Sequence, residues 1–206
     1  MYKLDIESLL PYFEVSRNFW NARVAGSNNH TVFEDLLKEK DRVIRDAVND
    51  YVRDLEVHKN YSPLYFQDVI YAIQVENLYL LEMLIMARCA IPDLQFEKTD
   101  MSILKFLTAY FKKSDDITNV GLAKYLFEQI LDTADNECED YGIIIQNLVE
   151  LNKDISWYFD FRNQIIKLLY RAPINNQVLS ATKKLRSCVP DNIKIDVDEY
   201  LEDKHG

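Results

Sequence analysis

Glycine and proline are scarce in this chain, four and five of 206 residues, together about half the usual share. No Gly-x-Gly-x-x-Gly and no Gly-x-x-x-x-Gly-Lys occurs, which excludes the phosphate-cradling loops of nucleotide-dependent enzymes. A β-sandwich or barrel needs many glycine-bearing turns, and they are missing. The three cysteines (Cys89, Cys138, Cys188) are widely spaced with no Cys-x-x-Cys pair, so neither a zinc ribbon nor a thioredoxin-type centre can be assembled. Cys89, inside an apolar segment, reads as a small buried hydrophobe. The three histidines (His30, His58, His205) offer no pair of Glu-x-x-His motifs on facing helices and no His-Glu-x-x-His, so no metal site and no cofactor is expected. No Ser, Cys or His is set in a glycine-flanked turn of the kind that presents a nucleophile.

Membrane segments are lacking too. The longest apolar stretch, Val69 to Ile91, contains Glu76, Glu82 and Arg88, each costing about 3 kcal/mol at a bilayer centre. It therefore reads as a core helix. The start, Met1-Tyr2-Lys3-Leu4-Asp5-Ile6-Glu7, has neither a signal-peptide nor a transit pattern, and a cytoplasmic, reducing location is expected.

What the chain has is negative charge and apolar bulk. Asp and Glu number 34 against 24 Lys and Arg, a formal net charge of −10. Such a surface repels phosphate backbones and disfavours direct nucleic-acid binding, whereas a basic protein partner is favoured. Residues 131–206 hold the largest acidic excess, including Asp132, Asp135, Glu137, Glu139 and Asp140, with Asp196, Asp198 and Glu199 further on. The first cluster is out of register with the alternating ligands and sixth-position glycine of an EF-hand. All eight acids are candidate contacts for a basic partner.

Helical spacing dominates the rest. Pro11 opens a helix to about Ala25, stopped by Gly26. Thr31-Val32-Phe33-Glu34 reads as a capping box for a helix over about 31–57, with Phe33, Leu37, Ile44, Val48, Tyr51 and Leu55 on its apolar stripe. Ser62-Pro63 opens a helix running to about Ala90, apolar nearly all round and hence central. Further helices are expected at about 101–113, 117–134 (capped by Asp116), 139–152, 155–171 and 177–188. Ile193, Ile195 and Val197 alternate with polar residues and read as extended. These elements imply an all-α, single-domain irregular bundle over residues 1–206, with seven or eight helices, a buried central helix and an extended acidic tail at 190–206. No repeat is evident. Tyr71 and Tyr79 fall on the polar side of the central helix, and exposed tyrosine beside acids is typical of protein-binding faces.

Two segments resemble known families. Arg53-Asp54-Leu55-Glu56-Val57-His58 resembles the catalytic motif of HEPN ribonucleases, small helical proteins. The resemblance implies His58 as general acid/base and Arg53 as the stabiliser of phosphate charge, although here the motif closes a helix. Asn77 to Asp93, with its Leu78-Tyr79-Leu80-Leu81-Glu82-Met83-Leu84 run ending at Pro92, resembles the central helix of all-α immunity proteins of bacterial contact-dependent and type VI toxin systems. It covers under a tenth of the chain. It implies a bacterial, non-enzymatic protein that neutralises a basic, nuclease-type toxin by stoichiometric complex formation. A helical adaptor with a peptide groove is a third reading of the same composition.

Overall fold

The computed structural model describes residues 2–26, 29–91, 97–132, 141–149 and 162–203. Among the described residues it is all helical: a 3-10 turn at Glu7–Leu9 precedes ten α-helices, and there is no strand. They are α1 (Leu10–Val24), α2 (His30–His58), α3 (Tyr61–Gln74), α4 (Leu78–Cys89), α5 (Glu97–Lys113), α6 (Ile117–Leu131), α7 (Tyr141–Val149), α8 (Arg162–Arg171), α9 (Asn176–Cys188) and α10 (Asp191–Asp203). The all-α class agrees with the spacing of apolar residues, while the number of helices exceeds the expected seven or eight.

Two places account for the difference. The run expected as one helix over 62–90 is broken at Val75–Asn77. Glu76 adopts a left-handed backbone with φ 53°, and the Asn77 side chain caps α4 by accepting the Leu80 amide at 3.0 Å. An asparagine cap satisfies a free helix-start amide that a continuous helix would not expose, so the chain can turn here without an unpaired group. The second place is the tail. Residues 191–203 are helical, not extended, because Ile193, Val197 and Tyr200 are spaced four and three apart and are buried on one face. That spacing outweighs the two-residue alternation of Ile193, Ile195 and Val197, since it places three large side chains in the core and leaves Ile195 61% exposed.

The other ends follow their local chemistry. Gly26, at φ +62°, ends α1 in the left-handed conformation that only glycine adopts without strain. α2 begins two residues earlier than the capping box implies, because Asn29 and not Thr31 supplies the cap, accepting the Val32 amide. Asp116 caps α6 through the Thr118 and Asn119 amides at 2.9 and 3.2 Å, as expected.

The contacts gather into two compact units, residues 1–95 with 114–126, and residues 96–113 with 127–206. In the first, α1 lies along α2, and α4 packs against α1, α2 and α3. α4 leaves only Tyr79, Met86 and Cys89 outside the buried set, and its burial matches the central helix expected from sequence. Cys89 is exposed, contrary to its expected burial, because it ends the helix where the chain leaves the core. In the second unit α7 packs on α9 and α5, and α10 on α8 and α9. Gly142 lets α7 and α9 approach closely, since a Cβ there would stand 2.7 Å from Gln177 Cγ.

Candidate functional site

Two acidic side chains of the first unit are buried, and their surroundings differ. Glu82, on α4, is 1% exposed. Its Oε2 accepts the hydroxyls of Tyr12 and Ser16, and its Oε1 accepts the Trp20 indole N–H at 3.4 Å. Tyr12, Ser16 and Trp20 are spaced by four along α1, so one helical face supplies all three donors. Lys40 of α2 completes the set, with Nζ 2.7 Å from Glu82 Oε1. The same ammonium stands 5.0 Å from the Phe19 ring and 5.8 Å from the Trp20 ring, within cation–π range. Burial, then the Glu82 charge, pushes the Tyr12 hydroxyl well above its ordinary pKa, so it is a donor at neutral pH. This cluster is enclosed and fully paired. It fixes α1, α2 and α4 in register.

Asp68, on α3, is 6% exposed. Its Oδ2 accepts the hydroxyls of Tyr2 at 2.9 Å and Tyr51 at 2.8 Å. Among the described residues no lysine, arginine or histidine is paired with it. Burial raises the carboxyl above its usual range, opposed by the hydrogen bonds from Tyr51 and Tyr2. Both tyrosines are pushed up in turn, chiefly by burial and then by the Asp68 charge. Tyr2 also packs edge-on against His58, ring centres 5.1 Å apart, so the residues before α1 are strapped across α2 and α3.

That strap makes a cleft of about 620 Å³ between the first residues and α3. Tyr2, Asp5, Glu7, Gln67, Asp68 and Tyr71 line it, together with Lys3. Asp5 Oδ1 accepts the amides of Glu7 and Ser8 at 3.1 and 3.4 Å, which holds the acidic turn in place. Tyr71 is 43% exposed, on the polar side as expected. Tyr79 instead packs against Phe13. The cleft therefore combines carboxylates with aromatic faces, the parts that bind a cation.

Arg53 and His58 take up separate positions on α2. Five residues along an α-helix are about 140° apart in direction. Arg53 pairs with Asp50 at 2.6 Å, whereas His58 donates from Nδ1 to the Asp54 carbonyl at 2.8 Å and faces Tyr2. Of the acids singled out in sequence, Asp135, Glu137, Glu139 and Asp140 lie outside the described residues. Asp132 is exposed and pairs with Lys167 of α8 at 2.8 Å. Asp198 binds the Arg186 guanidinium of α9, whose hydrogen bond holds its carboxyl below the usual range. Asp196 is half-buried and Glu199 exposed. Among the described residues no group of three or more His, Cys, Asp or Glu could hold a metal ion, and no helix is long and apolar enough to cross a membrane.

Lys40 and Asp68 are the residues that sequence reasoning missed. Each carried a signal. Lys40 falls on the apolar stripe of α2, between Leu37 and Ile44, and Asp68 falls beside Tyr65, Val69 and Ala72 on the buried face of α3. A charge on a core stripe has to be compensated, and the compensating group is unknown until the helices are packed.

No family model, curated protein or solved structure matches this chain.

Proposed function

We propose that this protein is a non-enzymatic, acidic binding protein that neutralises a basic protein partner by forming a stoichiometric complex, in the manner of the immunity proteins that Asn77–Asp93 resembles. The observation that carries the reading is the cleft whose walls include Asp5, Glu7, Asp68 and Tyr71, with a buried carboxylate that pairs with no cation among the described residues. In a chain of net charge −10, such a cleft attracts a basic surface and steers its approach. A nuclease-type toxin is a fitting partner, because an active site that binds phosphates is itself basic. Asp132, Glu199 and the neighbouring acids would add long-range attraction, while the internal pairing of Asp132 and Asp198 leaves them less free for direct contact.

The test is a pull-down of tagged protein from its native lysate, followed by reconstitution with the purified partner. A one-to-one complex is expected, weakened by salt, in which the partner's activity is lost. RNA cleavage by the protein alone, abolished by Arg53→Ala or His58→Ala, would overturn the reading and move the function to a HEPN-like ribonuclease.

A further inference from the structure

The two buried carboxylates of the first unit are built alike, and one of them is incomplete. In each, a single oxygen carries two hydroxyl donors: Tyr12 and Ser16 on Glu82 Oε2, Tyr2 and Tyr51 on Asp68 Oδ2. The second oxygen of Glu82 meets the Lys40 ammonium at 2.7 Å, with aromatic rings beside the charge. The second oxygen of Asp68 accepts no hydrogen bond among the described residues. Asp68 lines a cleft together with Tyr2 and Tyr71.

We propose that this cleft receives one lysine side chain of the basic partner, whose ammonium sits on Asp68 Oδ1 as Lys40 sits on Glu82 Oε1. The inference rests on the binding-protein reading and names the group that is recognised. Three features select an ammonium. With Oδ2 already loaded by two hydroxyls, the carboxylate offers no two-oxygen face to a guanidinium fork, whereas a point-like ammonium needs one acceptor. The aromatic walls suit a cation. A divalent metal is disfavoured, since no cluster of three ligating side chains forms among the described residues. The raised carboxyl of Asp68 accords with a site that waits for its counter-ion. Lys3, which also lines the cleft, is exposed and makes no ion pair among the described residues. It is the cleft's own competitor.

The experiment is an NMR titration of the full ¹⁵N-labelled chain with Nα-acetyl-lysine amide, its Nε-acetylated form and Nα-acetyl-arginine amide. The lysine probe is expected to shift the amides of Tyr2, Asp68 and Tyr71, and the Nε-acetylated form to leave them unmoved. Asp68→Asn keeps an acceptor for both tyrosines and should weaken binding by about tenfold or more, as removal of a charge partner does. Lys3→Ala should strengthen it about twofold by removing a competing charge. Tyr71→Ala changes an exposed side chain and should weaken binding even if Asp68→Asn fails to fold. Shifts elsewhere, binding indifferent to Tyr71→Ala, or equal binding of the arginine probe would each overturn the proposal. Capture of a basic partner whose affinity ignores both variants would sink the lysine site and leave the binding-protein reading standing. A lysine probe that binds here, with no basic partner found, would do the reverse.

Discussion

Lys40 and Glu82 form an ion pair inside the first helical unit, their side chains 9% and 1% exposed and 2.7 Å apart. Three helices meet at this contact, because α1 supplies Tyr12, Ser16 and Trp20 to the same carboxylate. Taking both charges out of water costs several kcal/mol per ion, and the pair is retained only because every lone pair of Glu82 finds a donor. Its clearest consequence is for what happens when half of it is removed.

Lys40→Met leaves Glu82 charged and enclosed, and should destabilise the fold by about 3–5 kcal/mol. Glu82→Gln should cost less, because Lys40 sits closer to the surface and its flexible stem can carry the ammonium to water. Urea unfolding of the two single variants checks the order. A larger loss for Glu82→Gln would mean that the carboxylate's hydroxyl donors, not the ion pair, dominate the cluster.

Tyr12 and Tyr200 are both buried, yet their hydroxyls differ. Tyr12 donates to Glu82, whereas the Tyr200 hydroxyl has no hydrogen-bond partner among the described residues. Tyr12→Phe should cost about 1.5–3 kcal/mol, the range for a hydrogen bond to a charged group. Tyr200→Phe should be neutral or stabilising by about 1 kcal/mol, since it deletes an unsatisfied polar atom. Thermal melts of the two variants should therefore move in opposite directions or differ plainly in size.

Asp68 makes stability depend on pH with an unusual sign. Its carboxyl is raised in the folded state, so the native protein holds this proton more tightly than the unfolded chain does. The contribution of Asp68 is then most favourable below its ordinary pKa and is lost as pH rises through the raised value. Asp68→Asn removes this dependence. Relative to the variant, the wild-type chain should lose ground in urea midpoint between acid and neutral pH. A gain over the same interval would show that the hydrogen bonds from Tyr51 and Tyr2 outweigh burial.

Gly121 lies inside α6, and an added Cβ would meet only Val24 Cγ2, at 3.4 Å. Gly121→Ala should stabilise by roughly 0.5–1 kcal/mol through helix propensity alone. A measured loss would mean that α1 cannot give way at Val24.

The helical class, the buried character of the run around Leu80 to Ile85, the Gly26 stop and the Asp116 cap were all legible in the residues themselves, because each depends on neighbours within about a turn. The break at Val75–Asn77 was harder to read. Leu, Ile and Val continue on both sides of it, and the capping asparagine sits in an otherwise helical pattern. The final helix was hidden by a coincidence of period, since Ile193 and Val197 fit both an alternation of two and a spacing of four. Burial of Tyr200 decides between them, and burial is set by the partner helices.

The sequence by itself determined that this chain is acidic, helical and rich in apolar faces, since charge and periodicity are properties of the order of residues alone. It also displayed Lys40, Asp68 and Glu82 as charges placed where apolar side chains belong. Only the tertiary structure decided what became of them. Lys40 and Glu82, 42 positions apart, neutralise one another because α2 and α4 cross there. Asp68 receives two tyrosine hydroxyls and, among the described residues, no cation. Pairing of buried charges is a matter of which helices touch, and that is settled by the packing of whole faces, not by any single residue's neighbours in the chain.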